Sequence, residues 1–323
     1  MPKEIVHWHV ADRAAQLLSA GPFAPALARC PKGLRLGAVW HDILFYLRGE
    51  HPAGLKALPH LLHGSHGEDS FELLRLQAAH LHARRDQPLP TAFFVGLASH
   101  IFADATLHPL VYHLTGNYYD TDEQRRTGAI RRHRALEGLL DMVAAGGPEA
   151  VLGQSLRELV TGLEGSLDLA VPPQAVASLA GCTVPAARAA QADALDTYCT
   201  MQGLFRMPTL ASLLHDLGWL LPGSLREIAA LFYAPQLYEQ RAAVSGSIRY
   251  RNPATGEALS GTLAGLMELA ARRTAEFCTA QAPALLARGE LATELPGPSL
   301  DMGLPGVPVT SARYFATRLL PAD

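Results

Sequence analysis

A chain of 323 residues, 49% hydrophobic and 18% charged, has enough apolar material for a well-filled core, which excludes a disordered or fibrous protein and makes cross-links unnecessary. The net charge of −3 offers no basic surplus to advertise nucleic acid and no acidic tail. Four scattered cysteines, Cys30, Cys182, Cys199 and Cys278, form no CxxC pair and are expected as reduced thiols. Thirteen of the 14 histidines lie between His7 and His133, and only His215 lies beyond. Imidazole is the commonest metal ligand, so metal chemistry is expected in the first half of the chain.

Taken in chain order, the opening MPKEIVHWHV carries Lys3 and Glu4 and lacks the apolar run of a secretory signal, so the expected location is the cytoplasm. Nothing later supplies the run of about 18 apolar residues typical of a membrane span. Val10, Ala14, Leu17 and Leu18 recur at helical steps. Asp42 follows in LRLGAVWHDILFY, among apolar neighbours. A carboxylate there is costly unless paired or bound to metal, although Asp also serves as a helix N-cap. His60, His63 and His66 come just before a second helical pattern, carried by Phe71, Leu74, Ala78 and Leu81. His60 and His63 read as surface residues, because polar side chains resist burial.

The segment FFVGLASHIFADATLHP sets His100, Asp104 and His108 at successive steps of four. On a helix each step turns about 40° past a full turn and rises about 6 Å, so the three side chains share one stripe and reach one cleft. Gly96 and Ala103 flank the stripe and let neighbouring helices come close. In RRHRALEGLLD, His133 and Glu137 are one turn apart and Asp141 lies one turn further. An imidazole and a carboxylate at that spacing can share a zinc ion, and a solvated helix face can produce the same letters.

Beyond Gly146-Gly147-Pro148, residues 156–169, 186–205, 210–220, 224–244 and 262–288 are rich in helix formers, with breakers at Pro172-Pro173, Pro222-Gly223 and Asn252-Pro253. Short extended pieces are expected around 248–250 and in the Pro/Gly-rich tail 295–308. The fold class is all-α. The organisation expected is a zinc-binding catalytic half, 1–145, and a helical extension, 146–323, packed on it as one continuous unit.

The motifs VHWHVADRA, GAVWHD, HGEDSFELL, SHIFADATLHP and HRALE, in this order and spacing, resemble the bacterial zinc-dependent phospholipase C family and its relatives, the P1-type nucleases and the amino-terminal domain of glycosylphosphatidylinositol-specific phospholipase D. RYRNPATGE, further on, is more loosely similar to the carboxy-terminal part of bacterial members. The resemblance implies a multi-helix domain around a trinuclear zinc site. Asp42, His66, His100 and Asp104 would surround one zinc, and His108, His133 and Glu137 a second. Asp104 would bridge to a third, which His7 also binds, with His9 as the alternative to His7. In secreted relatives a mature N-terminal residue completes that third site. Here Pro2, if Met1 is trimmed, would take that place.

The function expected is phosphodiester hydrolysis with zinc as cofactor, two ions and a possible third, and a phosphodiester substrate that includes phospholipid among its candidates. Asp42 is the expected catalytic residue, orienting or deprotonating the attacking water. Two alternatives stand beside it. One is P1-type nuclease activity, with Tyr112, Tyr118 and Tyr119 as stacking groups. The other is a non-catalytic protein stabilised by a closed metal cluster. A phosphohydrolase centred on His41-Asp42 would leave His133 and Glu137 without a role.

Overall fold

Sixteen α-helices and one hairpin make up the regular structure among residues 3–163 and 165–321, which are those the computed structural model describes. The first half holds α1 (Glu4–Leu17), α2 (Ala24–Arg29), α3 (Pro31–Gly37), a 3-10 stretch over Trp40–Tyr46, α4 (Ala53–Leu62), α5 (Glu72–Ala83), α6 (Pro88–Thr115) and α7 (Glu123–Ala145). The second half holds α8 (Pro148–Leu152), α9 (Leu156–Thr161), α10 (Leu167–Ala170), α11 (Pro173–Ala180), α12 (Val184–Phe205), α13 (Pro208–Asp216), α14 (Gly223–Ala229) and α15 (Pro235–Tyr238). The hairpin β1 (Ile248–Arg251) and β2 (Ala258–Gly261) then leads into α16 (Leu263–Arg288). The all-α expectation is met.

Local rules set many of the boundaries. Asp122 caps α7 by accepting the N–H of Arg125 at 2.9 Å, and Gly146 ends the helix in the left-handed region. Thr262 caps α16 in the same way, and Gly289 closes it. Three expected helices are broken, the one over 210–220 ending at Asp216 before a 3-10 turn, Gly218–Leu220. Residues 156–169 split into α9 and α10 around Gly162 and Gly165, and 224–244 splits into α14, α15 and a 3-10 turn, with Pro235 opening α15. Composition favoured helix in all three stretches, but Gly and Pro override it locally. The extended piece near 248–250 is β1, and its antiparallel partner β2 pairs Ile248 with Gly261 and Arg251 with Ala258.

α6 is the centre of the molecule. Every residue of it except Pro88 and Phe102 is buried, as expected of a helix apolar on all sides. By length and composition it could cross a membrane, yet 94% of that stretch is enclosed by other parts of the protein. α3 crosses it at Gly37 and Gly96, where a Cβ on Gly96 would meet the Leu34 carbonyl oxygen at 2.2 Å. α16 packs on α1, α5 and α6, so one hydrophobic core, from Ile5 to Leu300, spans both halves of the chain.

Candidate metal centre

Four separate parts of the fold converge beside the middle of α6. That helix presents His100, Asp104 and His108 along its one inward stripe, as their spacing requires. α1 brings His7, the 3-10 stretch brings Asp42, and α7 brings His133 and Glu137. All seven are buried. Three trios have their ligand atoms within 4.8 Å of one another: His7 with Asp42 and His100, His63 with His100 and Asp104, and His108 with His133 and Glu137.

Asp104 stands between the trios. Its Oδ1 lies 3.3 Å from His7 Nε2 and 3.5 Å from His108 Nε2, while its Oδ2 lies 3.1 Å from His100 Nε2 and 3.7 Å from His63 Nε2. Asp42 Oδ1 is 3.2 Å from His63 Nε2 and 3.7 Å from His100 Nε2. On the α7 side, Glu137 Oε1 is 2.9 Å from His133 Nε2 and 3.6 Å from His108 Nε2.

The structure differs from the sequence reading at His66 and His63. His66 is exposed, with 71% of its side-chain surface accessible, and it contacts Glu68 rather than the cluster. His63, read from the sequence as a surface residue, is buried and takes the place expected of His66. The cause is local. α4 ends at Leu62, His63 is its C-cap, and Gly64 turns the chain with φ of 61°. The turn separates two histidines that a continuing helix would have kept on one face. His60 is half-buried, and His9 is exposed while His7 points inward. Met1 and Pro2, on which the terminal-amine expectation rests, lie outside the described residues.

The imidazoles are aimed by the main chain. Nδ1 of His63 donates to the Pro59 carbonyl at 2.6 Å, that of His100 to Ala38 at 2.8 Å, and that of His108 to Leu300 at 3.0 Å. Each bond turns its ring so that Nε2 faces the carboxylates of the cluster, the arrangement by which proteins orient metal-binding histidines. These three Nε2 atoms, both ring nitrogens of His7, Asp42 Oδ1 and both oxygens of Asp104 make no hydrogen bond within the protein. Buried polar atoms in such numbers are costly unless something else satisfies them. A set of imidazoles and carboxylates around one point fits zinc, which binds these groups in their deprotonated form.

The electrostatics agree with a site built for cations. Burial opposes charge on His100, but the Asp104 and Asp42 carboxylates outweigh it and push this imidazole up to about 9. Burial likewise works against the Asp104 carboxylate, yet His108, His100 and His7 hold it well below the ordinary carboxyl range. Burial pushes the imidazoles of His108 and His133 well below their usual value.

Two further groups border the cluster, and the first of them carries no local sequence signal. Asp301, in the irregular tail, accepts from Tyr112 Oη at 3.0 Å and from Ser65 Oγ at 3.2 Å, and lies 3.6 Å from His108 Nδ1. His41 is buried and stacked on His100 at 4.5 Å, but it belongs to none of the three trios. Beside the cluster opens a cavity of about 240 Å³, lined by Asp42, His63, His133, Glu137 and Asp301, by the aromatic rings of Phe45, Tyr46, Tyr118 and Tyr198, and by Lys3 and Arg134.

Fold and site together define an all-helical protein with a buried cluster of histidines and carboxylates suited to hold more than one metal ion. Residues 6–159 match the family described as zinc dependent phospholipase C. No curated protein and no solved structure matches the chain.

Proposed function

We propose that the protein is a zinc-dependent phosphodiester hydrolase of the phospholipase C type. The observation that carries this reading is the set of buried, unbonded Nε2 and carboxylate atoms around Asp104, with three imidazoles turned towards the cluster by main-chain carbonyls. His63, His100, Asp42 and Asp104 would hold one zinc, and His108, His133 and Glu137 a second. His7 and Asp104 would contribute to a third. Zinc bound there supplies an acidified water and neutralises charge on a phosphate.

The chain's own groups divide the remaining work. Asp42 lines the cavity and is the group placed to accept the proton of the attacking water. Arg134, next to His133, adds positive charge to the cavity wall for a phosphate oxygen. Tyr112 is kept as a neutral hydroxyl by burial and by Asp301 beside it, so it orients Asp301 rather than ionising. The nuclease reading ranks second. Tyr112 is buried against Tyr118, Tyr119 and His133, so only Tyr118 and Tyr119, half-buried on the cavity wall, are left as stacking surfaces for a base.

The deciding experiment is metal analysis of the purified protein beside a hydrolysis screen of phosphatidylcholine, phosphatidylinositol, single-stranded DNA and a chromogenic phosphodiester. Cleavage of a phosphodiester, abolished by a chelator and restored by zinc, is the expected result. Bound zinc with no hydrolysis of any of the four would leave the closed, non-catalytic cluster as the correct reading, and cleavage of DNA alone would favour the nuclease.

A further inference from the structure

The part of the chain that matches the family ends at residue 159, and the tail beyond α16 is largely irregular. Within that tail Ser299, Leu300, Asp301 and Met302 are nevertheless buried. Their loop closes on itself, with the Ser299 N–H on the Leu304 carbonyl at 2.9 Å and the Gly303 N–H on that of Ser299 at 2.8 Å. Gly303 turns it with φ of 73°, and a Cβ there would meet the Ala105 carbonyl oxygen of α6 at 2.5 Å. Asn252, just after β1, fastens it by donating through Nδ2 to the Met302 carbonyl at 2.9 Å.

Two adjacent residues of this loop touch both sides of the metal cluster. The Leu300 carbonyl accepts from His108 Nδ1 at 3.0 Å, and the Leu300 N–H donates to the His63 carbonyl at 2.8 Å. Asp301 does the same with its side chain. Its Oδ1 accepts from Tyr112, one turn beyond His108 on α6, and lies 3.6 Å from His108 Nδ1. Its Oδ2 accepts at 3.2 Å from Ser65, two residues after His63. His63 and His108 belong to different trios, so one dipeptide is bonded to the surroundings of both. Two hydroxyls are incomplete compensation for a buried carboxylate. An imidazole that gives its Nε2 pair to a cation becomes polarised, and a carboxylate beside its Nδ1–H then stabilises it and strengthens the bond.

We infer that Asp301 is a positioning residue of the metal centre, supplied by a part of the chain outside the matched segment. Its charge strengthens His108 as a ligand to the zinc shared with His133 and Glu137, and its bond to Ser65 steadies the turn that aims His63 at the other. The Leu300 carbonyl sets the orientation of the His108 ring; the Asp301 carboxylate sets its strength as a donor. The inference rests on the metal reading of the cluster, and its binding measurements do not depend on hydrolysis.

Two variants of the full chain separate charge from hydrogen bonding. Asp301→Asn keeps the size and one acceptor oxygen but removes the charge, whereas Asp301→Ala removes both. Stepwise zinc affinities come from competition with a chromogenic chelator, and cobalt(II) loaded in place of zinc reports ligand geometry through its visible absorption. Asp301→Asn should weaken one zinc by about tenfold and leave the other unchanged, with an altered cobalt spectrum and a urea midpoint in chelator no lower than the parent's. Asp301→Ala should weaken both ions. Should the Ala variant fail to fold, the Asn variant decides. Affinities and spectra equal to the parent's in Asp301→Asn would overturn the inference, and a lower midpoint beside them would make Asp301 a clamp for the tail and nothing more. A parent that binds no zinc overturns both this inference and the hydrolase reading. A parent that binds zinc and cleaves no phosphodiester overturns only the latter, and the affinities still decide the role of Asp301.

Discussion

Asp141, one turn beyond Glu137 on α7, accepts the main-chain N–H of Val6 at 2.9 Å. It also accepts that of Ile5 at 3.1 Å. The first turn of any helix leaves its N–H groups without partners, and here the missing cap comes from another helix. The same turn carries His7. One carboxylate thus ties the helix bearing His7 to the helix bearing His133 and Glu137.

Replacing Asp141 by Ala should cost about 1–2 kcal/mol through the lost cap and should loosen His7 over Asp104. The measurement is the denaturation midpoint together with zinc per chain. Unchanged stability and unchanged zinc would show that α1 is held by its apolar contacts alone.

Asp141 should also make stability depend on pH. The Tyr233 hydroxyl lies 2.7 Å from Asp141 and 2.9 Å from Glu4, and with one hydrogen to give it cannot serve two carboxylates. Burial first, and then the Glu4 charge, raise the Asp141 carboxyl to about 7, with Lys3 nearby lowered by burial to about 8. A folded-state value above the unfolded one means that the folded protein holds the proton more tightly. The contribution is complete below about pH 4 and is lost as pH rises through 7. Asp141→Asn should therefore lose less stability than the parent between pH 5 and pH 7. Urea midpoints at both pH values, all in chelator so that zinc does not contribute, give the comparison, and parallel slopes in the two proteins would refute it.

At the cluster, His63→Ala should weaken zinc binding by at least about tenfold, the order reported for losses at or next to metal ligands. His66→Ala should leave zinc content and affinity unchanged, since that ring faces solvent. Competition with a chromogenic chelator measures both. The reverse order of effects would return His66 to the site.

Asp104→Asn changes one charge that faces four imidazoles, so more than one zinc per chain should be lost. Loss of a single ion, measured by elemental analysis, would show that Asp104 serves one metal and does not bridge.

Without metal, Asp42 and Asp104 keep buried oxygens that nothing in the protein satisfies. Zinc bound to the folded state alone, at 100 times its dissociation constant, would add about 2.7 kcal/mol. For a chain of this size that corresponds to a rise of about 4 °C in melting temperature. Thermal melts with and without a strong chelator, with zinc measured in each sample, provide the test. Equal melting temperatures in a sample stripped of all its zinc would exclude a buried shared site.

The legible part of the site is the part written at helical spacing. His100, Asp104 and His108 repeat every four residues on one helix, and His133 and Glu137 repeat likewise, so their shared faces follow from geometry. His63 and His66 were not separable in this way. Which of them turns inward depends on α4 ending at Leu62 and on the positive φ of Gly64, and a run of histidines does not announce where its helix stops. Asp301 was out of reach for a different reason. It comes to His108 because the tail pairs with the loop after α4, with the Leu300 N–H on the His63 carbonyl at 2.8 Å and the Val309 N–H on that of Ser65 at 2.9 Å. No local pattern encodes contacts across more than two hundred residues. Among the elements, α12 and α16 were plain from composition, whereas β2 was missed and the helices expected over 156–169 and 224–244 gave way to their own glycines and prolines.

Gly37 and Gly96 lie against each other's helices so closely that a Cβ on Gly37 would sit 2.4 Å from the Phe93 carbonyl oxygen. His100 follows Gly96 by one turn and bonds to the carbonyl of Ala38, the residue after Gly37. The gap between the two helices therefore sets the tilt of an imidazole that neither glycine touches. Part of the cluster's aim resides in two hydrogens where other residues carry side chains, and an added methyl at either place would move the ring while leaving every ligand in the sequence intact.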